Sequence, residues 1–416
     1  MISPQIRQFL ARDVEARFLR YVQVHTTSDP RSLAVPSTRV QMDLLRILAD
    51  ELREIGLVDV ELAAAGFVYA TLPASDGAGG QSFGLLAHVD TSPDQPGEGV
   101  EPICHRQWDG SPIRFPKDSN LELTVADSPD LAHFRGDTII TAAGDTLLGA
   151  DDKAGVAEIM TAIAALQRFP QLPHGEIRLC FTSDEEIGRG IEGIDLSRLP
   201  TSCYTLDGSF PGELEDECFD AWRVTLAVRG VGVHPGYAKD RMINAAAVAA
   251  RLVSQLPADE TPERTAERQG FYHLGRIEGG NEEATVHLLV RDFEIEENER
   301  RIAYLRQLAS SFEVRYPGLG IHVEVTHQYQ NMRDVLSRHR LIVERAEGAI
   351  GDTGLEVRRK AIRGGTDGSL LTAQGHPTPN IFAGGLLFHS RREWIASSSL
   401  AKAAETILHL ARRWAE

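Results

Sequence analysis

Adjacent carboxylates occur at Glu185 and Glu186, in the segment FTSDEEIG. Like charges side by side are unfavourable unless something positive holds them together. Three other segments supply matching ligand types, with His88 in LLAHVD, Asp207 in YTLDG and His389 in LLFHS. Imidazole nitrogens and carboxylate oxygens of this kind bind divalent cations. The sequence therefore predicts a two-metal hydrolytic site with one acid left to transfer protons.

Two further motifs could complete such a site. In an extended chain, residues two apart point the same way, so Asp90 can orient a metal-bound His88 through the second ring nitrogen. Asp151 and Asp152, in GADDKAG, precede a predicted helix, and Asp152 could cap that helix while Asp151 faces the cations. Taken singly, each motif also fits an ordinary surface loop, a helix cap or a buried histidine whose ring nitrogens are hydrogen-bonded. Their combination favours one shared site.

The elements that must position these residues follow from hydrophobic spacing. Helices are predicted from Pro4, after Ser37 up to Gly56, and from Asp152, with strands near 58–62, 67–72, 83–88 and 176–182. This alternation predicts an α/β fold, a mixed sheet flanked by helices. His88, Glu185 and Asp207 follow strands, where ligands gather in such folds. Residues 91–145, rich in proline, glycine and aspartate, are predicted to form a surface excursion with a few short strands.

The pattern changes from Ala221 onward. Strand, helix, strand, strand, helix and strand follow in turn up to IHVEVTHQY, which is the order of a ferredoxin-like α+β domain. We therefore predict a catalytic domain of residues 1–218 and 331–416 and an inserted domain of residues 219–330.

Composition limits the classes of function. The chain has 416 residues and a formal net charge of -17, which argues against nucleic acid and anionic membranes as partners. No apolar run reaches the roughly 20 residues of a membrane helix, and the N-terminus lacks a signal-peptide pattern. Four scattered cysteines predict free thiols rather than disulfides or a zinc knot. A cytoplasmic location is expected.

Ordered motifs run over nearly the whole chain: AHVDTSPD, LLGADDKAG, FTSDEEIG, YTLDG, VHPG, QNMR, IRGGTDG, and NIFAGG ending in FHS. With these motifs the chain resembles the co-catalytic dinuclear zinc metallopeptidases, the family that includes carboxypeptidase G and aminoacylase. Within that family it is most similar to the peptidase T branch of tripeptide aminopeptidases. The resemblance implies two Zn²⁺ ions per subunit, with Mn²⁺ or Co²⁺ as possible substitutes.

The resemblance also implies a division of the metal ligands. His88 and Asp207 would hold one cation, and Glu186 and His389 the other. Asp151 would bridge the two and be followed by a cis peptide bond.

Catalytic and substrate-binding roles are implied in the same way. Glu185 would be the general acid/base and Asp90 the partner of His88, while His234 in the inserted domain would stabilise the oxyanion. The substrate's carboxylate or carbonyl groups would be bound by Arg291, Asn331 and Arg363. The inserted domain would act as a lid or dimerisation domain, with a homodimer as a possible assembly.

The expected activity is release of the N-terminal residue from short peptides, above all tripeptides. A carboxypeptidase, a dipeptidase or an N-acyl amino acid amidohydrolase of the same fold remains an alternative, as does an inactive metal-binding scaffold. Ser390 and Arg391, in FHSRRE, stand where the family commonly has glycine and lysine. These departures spare every expected ligand and bear on substrate preference.

Overall fold

The computed structural model describes residues 2–77 and 79–416. The chain divides into two units. The main unit contains the residues up to Asp216 together with Val335–Lys360 and Thr366–Glu416, and the inserted unit contains Glu217–Asp334 and Ala361–Gly365.

The helices begin and end where local chemistry favours it. Ser3 accepts a hydrogen bond from the backbone N–H of Ile6, and Gly56 takes a left-handed conformation after the second helix, as predicted. The α-helices are α1 (Pro4–Tyr21), α2 (Gln41–Ile55), α3 (Ala150–Arg168), α4 (Ala245–Val253), α5 (Ile295–Arg315), α6 (Arg333–Leu336), α7 (Arg340–Asp352), α8 (Asp367–Ala373) and α9 (Ser397–Ala415).

The strands form separate sheets in the two units. They are β1 (Val58–Ala63), β2 (Phe67–Leu72), β3 (Phe83–His88), β4 (Ile103–His105), β5 (Ile113–Phe115), β6 (Asp118–Leu123), β7 (Ile139–Thr141), β8 (Ile177–Thr182), β9 (Cys203–Gly208), β10 (Glu213–Cys218), β11 (Asp220–Arg229), β12 (Phe271–Gly279), β13 (Glu283–Asp292), β14 (Gly320–Tyr329), β15 (Arg358–Ile362), β16 (Asn380–Phe382), β17 (Gly385–Leu386) and β18 (Trp394–Ala396).

The large sheet has the strand order β1-β2-β8-β3-β9-β16-β10-β15. Strands β8, β3, β9 and β16 run parallel to one another, whereas β2 joins β8 and β10 joins β16 in antiparallel pairs. Every residue of β3 is buried, as expected for a parallel strand covered on both faces. The predicted α/β fold with a mixed sheet and flanking helices is confirmed.

Helix α3 packs against β3 and β9 on one side and against α1 and α9 on the other. Most residues of α3 are buried, and the helix fits between these elements because many of its side chains are small alanines. Gly155 is required here, since a Cβ atom on it would lie 2.0 Å from the carbonyl oxygen of Leu206. The close approach brings the start of α3 beside the end of β9.

Residues 91–145 contain four short strands, as predicted, but they are more than a surface excursion. Strand β7 pairs with β18, which lies far along the chain, and a small sheet forms in the order β17-β18-β7-β4. Trp108, Phe115 and Leu123 pack with Trp394 in an apolar cluster of their own. The prediction missed this cluster because its members come from segments that lie far apart in the sequence.

The inserted unit has a four-stranded antiparallel sheet in the order β12-β13-β11-β14, with α4 and α5 packed against it. Residues alternate along β11, so that Val224, Leu226 and Val228 face the apolar core. The order of elements is the ferredoxin-like one that the sequence predicted. Helix α5 begins at Ile295.

Across the described residues, no helix combines the length and the low polarity needed to cross a membrane.

Candidate metal centre

Three neighbouring strands of the main unit end at the same edge of the sheet, and each supplies a predicted site residue. His88 is the last residue of β3, Asp207 is the penultimate residue of β9, and Glu185 begins a single turn just after β8. Because β3 lies between β8 and β9 and runs parallel to both, their carboxyl ends meet.

The carboxylate of Asp151 joins the two predicted histidine ligands. Its Oδ1 atom lies 2.9 Å from Nε2 of His88, and its Oδ2 atom lies 3.2 Å from Nε2 of His389. The following peptide bond, to Asp152, is cis, as expected. Asp152 accepts hydrogen bonds from the backbone N–H groups of His88 and Gly155. Its own backbone is non-helical, so the bond from Gly155 is that of a cap on the helical turns that follow.

The remaining predicted ligands lie beside these histidines. Oδ1 of Asp207 is 3.6 Å from Nε2 of His88, and Oε2 of Glu186 is 2.8 Å from Nε2 of His389. Two sets of three potential ligand atoms lie within 4.8 Å of one another: His88 with Asp152 and Asp207, and His88 with Asp151 and Glu186. We favour Asp151 over Asp152 as a ligand, because both oxygens of Asp152 already accept backbone hydrogen bonds.

The protonation of the cluster reflects crowding of negative charge. Burial, and then the charge of Asp151, raises the pKa of Glu186 to about 8, and the same causes raise the pKa of Asp207 to about 6. Burial alone would lower the pKa of His389, yet hydrogen bonds to Asp151 and Glu186 raise it to about 11. The pKa of His88 is also raised, by hydrogen bonds that outweigh its burial. Acids this close together need compensating positive charge, which bound protons or divalent cations can supply.

The residues present fit a pair of divalent cations. Oε1 of Glu186 is buried and has no hydrogen-bond partner among the residues that the structure describes. A buried carboxylate oxygen without a donor is costly unless a cation or water completes it. Two imidazoles and several carboxylates are also the ligand types that zinc, manganese and cobalt accept.

Asp90 supports the cluster from behind. Nδ1 of His88 lies 3.3 Å from Oδ1 of Asp90 and 3.1 Å from its backbone oxygen. The two carboxylate oxygens of Asp90 also accept the backbone N–H groups of Glu185 and Glu186, at 3.0 and 3.2 Å. Asp90 is fully buried, so these contacts fix the acidic turn relative to the first histidine.

Glu185 has the environment of a proton-transfer group. Its Oε2 atom lies 4.0 Å from Nε2 of His88, and its side chain is 14% exposed. Burial raises its pKa well above the usual value, with repulsion from Asp207 and Asp367 adding to the effect and the charge of His88 opposing it. A carboxyl group so placed can hold a proton at neutral pH.

A second buried acid, Glu393, was not predicted as a site residue. Its Oε2 atom accepts the backbone N–H groups of Leu148 and Gly149, both at 2.8 Å, and its Oε1 atom accepts that of Asp151 at 3.0 Å. Glu393 lies four residues after His389, so one short segment supplies a ligand and also holds the backbone of the bridging aspartate. Its closeness to His389 in FHSRRE could have marked it as a candidate site residue. The N–H groups that it binds could not be predicted, because they come from a distant part of the chain.

The acidic turn is held by further acids that the sequence analysis left out. The carboxylate of Asp184 accepts hydrogen bonds from Ser37 and from the side chain of Gln41. The backbone N–H of Asp184 in turn donates to the side-chain oxygen of Gln41 at 3.0 Å. Asp367 accepts a hydrogen bond from Thr182 at 2.7 Å, at the end of β8. The turn carrying the paired glutamates is therefore anchored from both sides.

The two departures from the family pattern stabilise the turn before Glu393. The hydroxyl of Ser390 donates to the carbonyl of Leu387 at 2.7 Å and accepts the backbone N–H of Arg392 at 3.2 Å. The guanidinium of Arg391 donates to Asp118 at 3.0 Å and to the carbonyl of Gly144 at 3.1 Å. Both side chains make intramolecular contacts in this unit.

Four predicted residues lie in the inserted unit, whereas the ligand cluster belongs to the main unit. His234 is exposed, and its Nδ1 atom accepts the backbone N–H of Gly236 at 3.1 Å. Arg291 is buried and donates to the carbonyl of Trp222 and to the side chain of Gln328. Their catalytic and substrate-binding roles stay predictions.

Asn331 and Arg363 also make contacts inside the inserted unit. The side-chain oxygen of Asn331 accepts the backbone N–H of Cys218, and its amide donates to the carbonyl of Phe293. Arg363 donates to the backbone carbonyls of Glu267 and Gln269 at 3.0 and 2.9 Å. These contacts show how each side chain is held, and the substrate-binding roles of both remain predictions.

Imidazole and carboxylate side chains gathered at the carboxyl edge of an α/β sheet are an arrangement that metal-dependent hydrolases use. The model of Peptidase family M20/M25/M40 matches residues 147–413. Peptidase T of Geobacillus kaustophilus is 44% identical over 402 residues, which cover 96% of this chain and 98% of that protein. The chain therefore belongs to Peptidase family M20/M25/M40.

Two solved structures share the fold. The aminopeptidase PepT of Bacillus cereus superposes with a TM-score of 0.72 at 24% identity, covering 98% of this chain and 99% of its own. A tripeptidase of Staphylococcus aureus gives a TM-score of 0.75 at 21% identity, covering 97% and 98%.

We predict that Glu393→Gln weakens cation binding by about 10- to 100-fold, the usual cost of losing a partner behind a metal ligand. Glutamine keeps one acceptor oxygen but turns the other into a donor, so at least one backbone N–H near Asp151 loses its acceptor. Competition with a coloured chelator measures the affinity. Glu405→Gln is the matched control, since Glu405 is a buried carboxylate bonded to Arg7 and not to a proposed ligand. Equal affinity in both variants would refute a role for Glu393.

Proposed function

We propose that the protein is a dinuclear metallo-aminopeptidase that releases the N-terminal residue from short peptides, above all tripeptides. One observation supports this most strongly: the carboxylate of Asp151 lies between His88 and His389, with Glu185 beside them. Relatives named Peptidase T, aminopeptidase and tripeptidase support the substrate class.

The proposed ligands divide into two sets that share one residue. His88 and Asp207 would hold one cation, Glu186 and His389 the other, and Asp151 would contribute an oxygen to each. Zinc suits these ligands best, although manganese or cobalt could replace it. When bound, such cations polarise a peptide carbonyl and lower the pKa of water.

Glu185 would carry the protons of the reaction. Its carboxylate would take one proton from the attacking water and deliver it to the nitrogen of the leaving peptide as the C–N bond breaks. The backbone bond from Glu185 to Asp90 keeps this carboxyl group at the cluster. No covalent bond between protein and substrate is needed.

The inserted domain, residues 219–330, would act as a lid or dimerisation domain beside a catalytic domain of residues 1–218 and 331–416. Within it, His234 would stabilise the oxyanion, and Arg291 would bind a substrate carboxylate or carbonyl group, as would Asn331 and Arg363 outside that range. Strands β12 and β14 form the two edges of its sheet, which is where a second copy could pair to give a homodimer.

We also propose a cytosolic location. None of the four cysteines, Cys104, Cys180, Cys203 and Cys218, is part of a disulfide in the part of the chain that the structure describes. Cysteines without disulfides are typical of a reducing compartment.

Removing the proposed base separates catalysis from metal binding. We expect Glu185→Gln to lower kcat by at least about 100-fold, because the amide cannot accept a proton from water. Metal content should stay at the wild-type level, as Glu185 is not a proposed ligand. Glu192→Gln, on the same loop and paired with Arg189, is the control and should keep full activity. Near-normal turnover in Glu185→Gln would remove it from this role.

Peptides with free and blocked ends test the activity itself. The zinc-loaded enzyme should cleave free tripeptides between the first and second residues, and should leave N-acetyl tripeptides intact. Mass spectrometry of the products shows whether the first residue of a tripeptide is released. Release of the last residue would indicate a carboxypeptidase, and cleavage of the acetyl group an N-acyl amidohydrolase. Failure to cleave any of them would favour an inactive scaffold.

A further inference from the structure

An exposed carboxylate lies against the second histidine ligand. Oδ2 of Asp94 is 3.5 Å from Nδ1 of His389, and the Asp94 side chain is 68% exposed. The segment around it is fixed, since the Asp94 backbone N–H donates to the Ser92 hydroxyl and the N–H of Leu147 donates to the carbonyl of Pro96. Asp94 is therefore held at the rim of the ligand cluster with its side chain open to solvent.

The two histidines differ in what lies behind them. Nδ1 of His88 faces Asp90, which is fully buried and also bonded to the acidic turn. Nδ1 of His389 faces Asp94, at a distance too long for a good hydrogen bond, and His389 itself is 39% exposed. Asp90 has the contacts of an orienting residue, whereas Asp94 lacks them.

The other carboxylates around the histidines are already committed. The acids within 4.0 Å of a ring nitrogen of His88 or His389 are Asp90, Asp94, Asp151, Glu185, Glu186 and Asp207. Apart from Asp94, each has a side chain no more than 14% exposed and is a proposed ligand, the proposed base or the partner of His88. Asp94 alone of this set presents a largely exposed carboxylate to solvent.

We propose that Asp94 binds the free α-ammonium group of the substrate and so selects peptides with an unblocked N-terminus. This inference rests on the aminopeptidase activity proposed above. In such a substrate only the α-carbon separates the ammonium nitrogen from the carbonyl that is attacked. A carbonyl at the ligand cluster therefore has its ammonium within a few ångströms of that cluster, and Asp94 lies 3.5 Å from His389 in the same cluster. A carboxylate is the matching partner for an ammonium group.

A pair of phosphinate analogues of a tripeptide tests this directly. The two compounds are identical except that one carries the α-amino group and the other has hydrogen in its place. Charge-assisted hydrogen bonds predict that the zinc-loaded wild-type protein binds the amino compound about 10- to 100-fold more tightly. In Asp94→Asn this preference should fall to about threefold or less, since the amide has no charge. Calorimetry gives both dissociation constants.

Two controls keep the result specific. Asp109→Asn removes another exposed aspartate of the main unit, one that accepts a backbone N–H of Ser111, and should keep the full preference. Cation affinity, measured by chelator competition, should be unchanged in Asp94→Asn. The inference is overturned if Asp94→Asn keeps the preference. It is also overturned if Asp94→Asn weakens the binding of both compounds by the same factor and lowers the affinity for the cation. That result would make Asp94 a positioning residue for His389.

The activity of the wild-type protein distinguishes failure of the Asp94 role from failure of the proposed aminopeptidase function. Tripeptide cleavage with an unchanged preference in Asp94→Asn would end the role of Asp94 alone. Hydrolysis of N-acyl substrates only, with no preference for the amino compound, would end the proposed function and the Asp94 role together.

Discussion

The contact of one carboxylate with two imidazoles is the constraint on which the rest of the main unit depends. Asp151 lies within hydrogen-bond distance of His88 and His389, which are separated by most of the chain. Around this contact, Glu186 and Asp207 are buried at short distances from the histidines. So much negative charge in a buried space requires compensating positive charge, and protonated histidines or divalent cations can supply it.

Some acids of the main unit are proposed cation ligands, whereas others hold the backbone of the segments that carry those ligands. Asp90 fixes the acidic turn, Asp152 the end of β3, and Glu393 the loop that ends in Asp151. In each case a buried carboxylate accepts an N–H group from a segment that carries a ligand or the base. These bonds satisfy both partners, and they place side chains from distant segments without relying on loop rigidity alone. Substitution of such an acid would therefore disturb the cluster even though the acid itself does not face a cation.

Much of the fold and of the ligand set could be predicted from the sequence because the signals are local. Hydrophobic spacing marks β3 and α3, and an acidic or histidine residue directly after a strand marks the edge where sites form. The bonds of Glu393 and the exposure of Asp94 could not be predicted, since both depend on which distant backbone comes near. The pairing of β7 with β18, and the cluster of Trp108 with Trp394, were hidden for the same reason. The family resemblance supplied the roles of His234 and Arg291, which lie in the inserted unit.

The central claim is that Asp151 shares its two oxygens between two cations. Anomalous diffraction at the zinc absorption edge, from crystals of the zinc-loaded protein, tests it most directly. The account predicts two peaks, one beside His88 and Asp207 and the other beside Glu186 and His389, with the Asp151 carboxylate between them. A single peak, or two peaks that leave Asp151 without a bond to both, would contradict it.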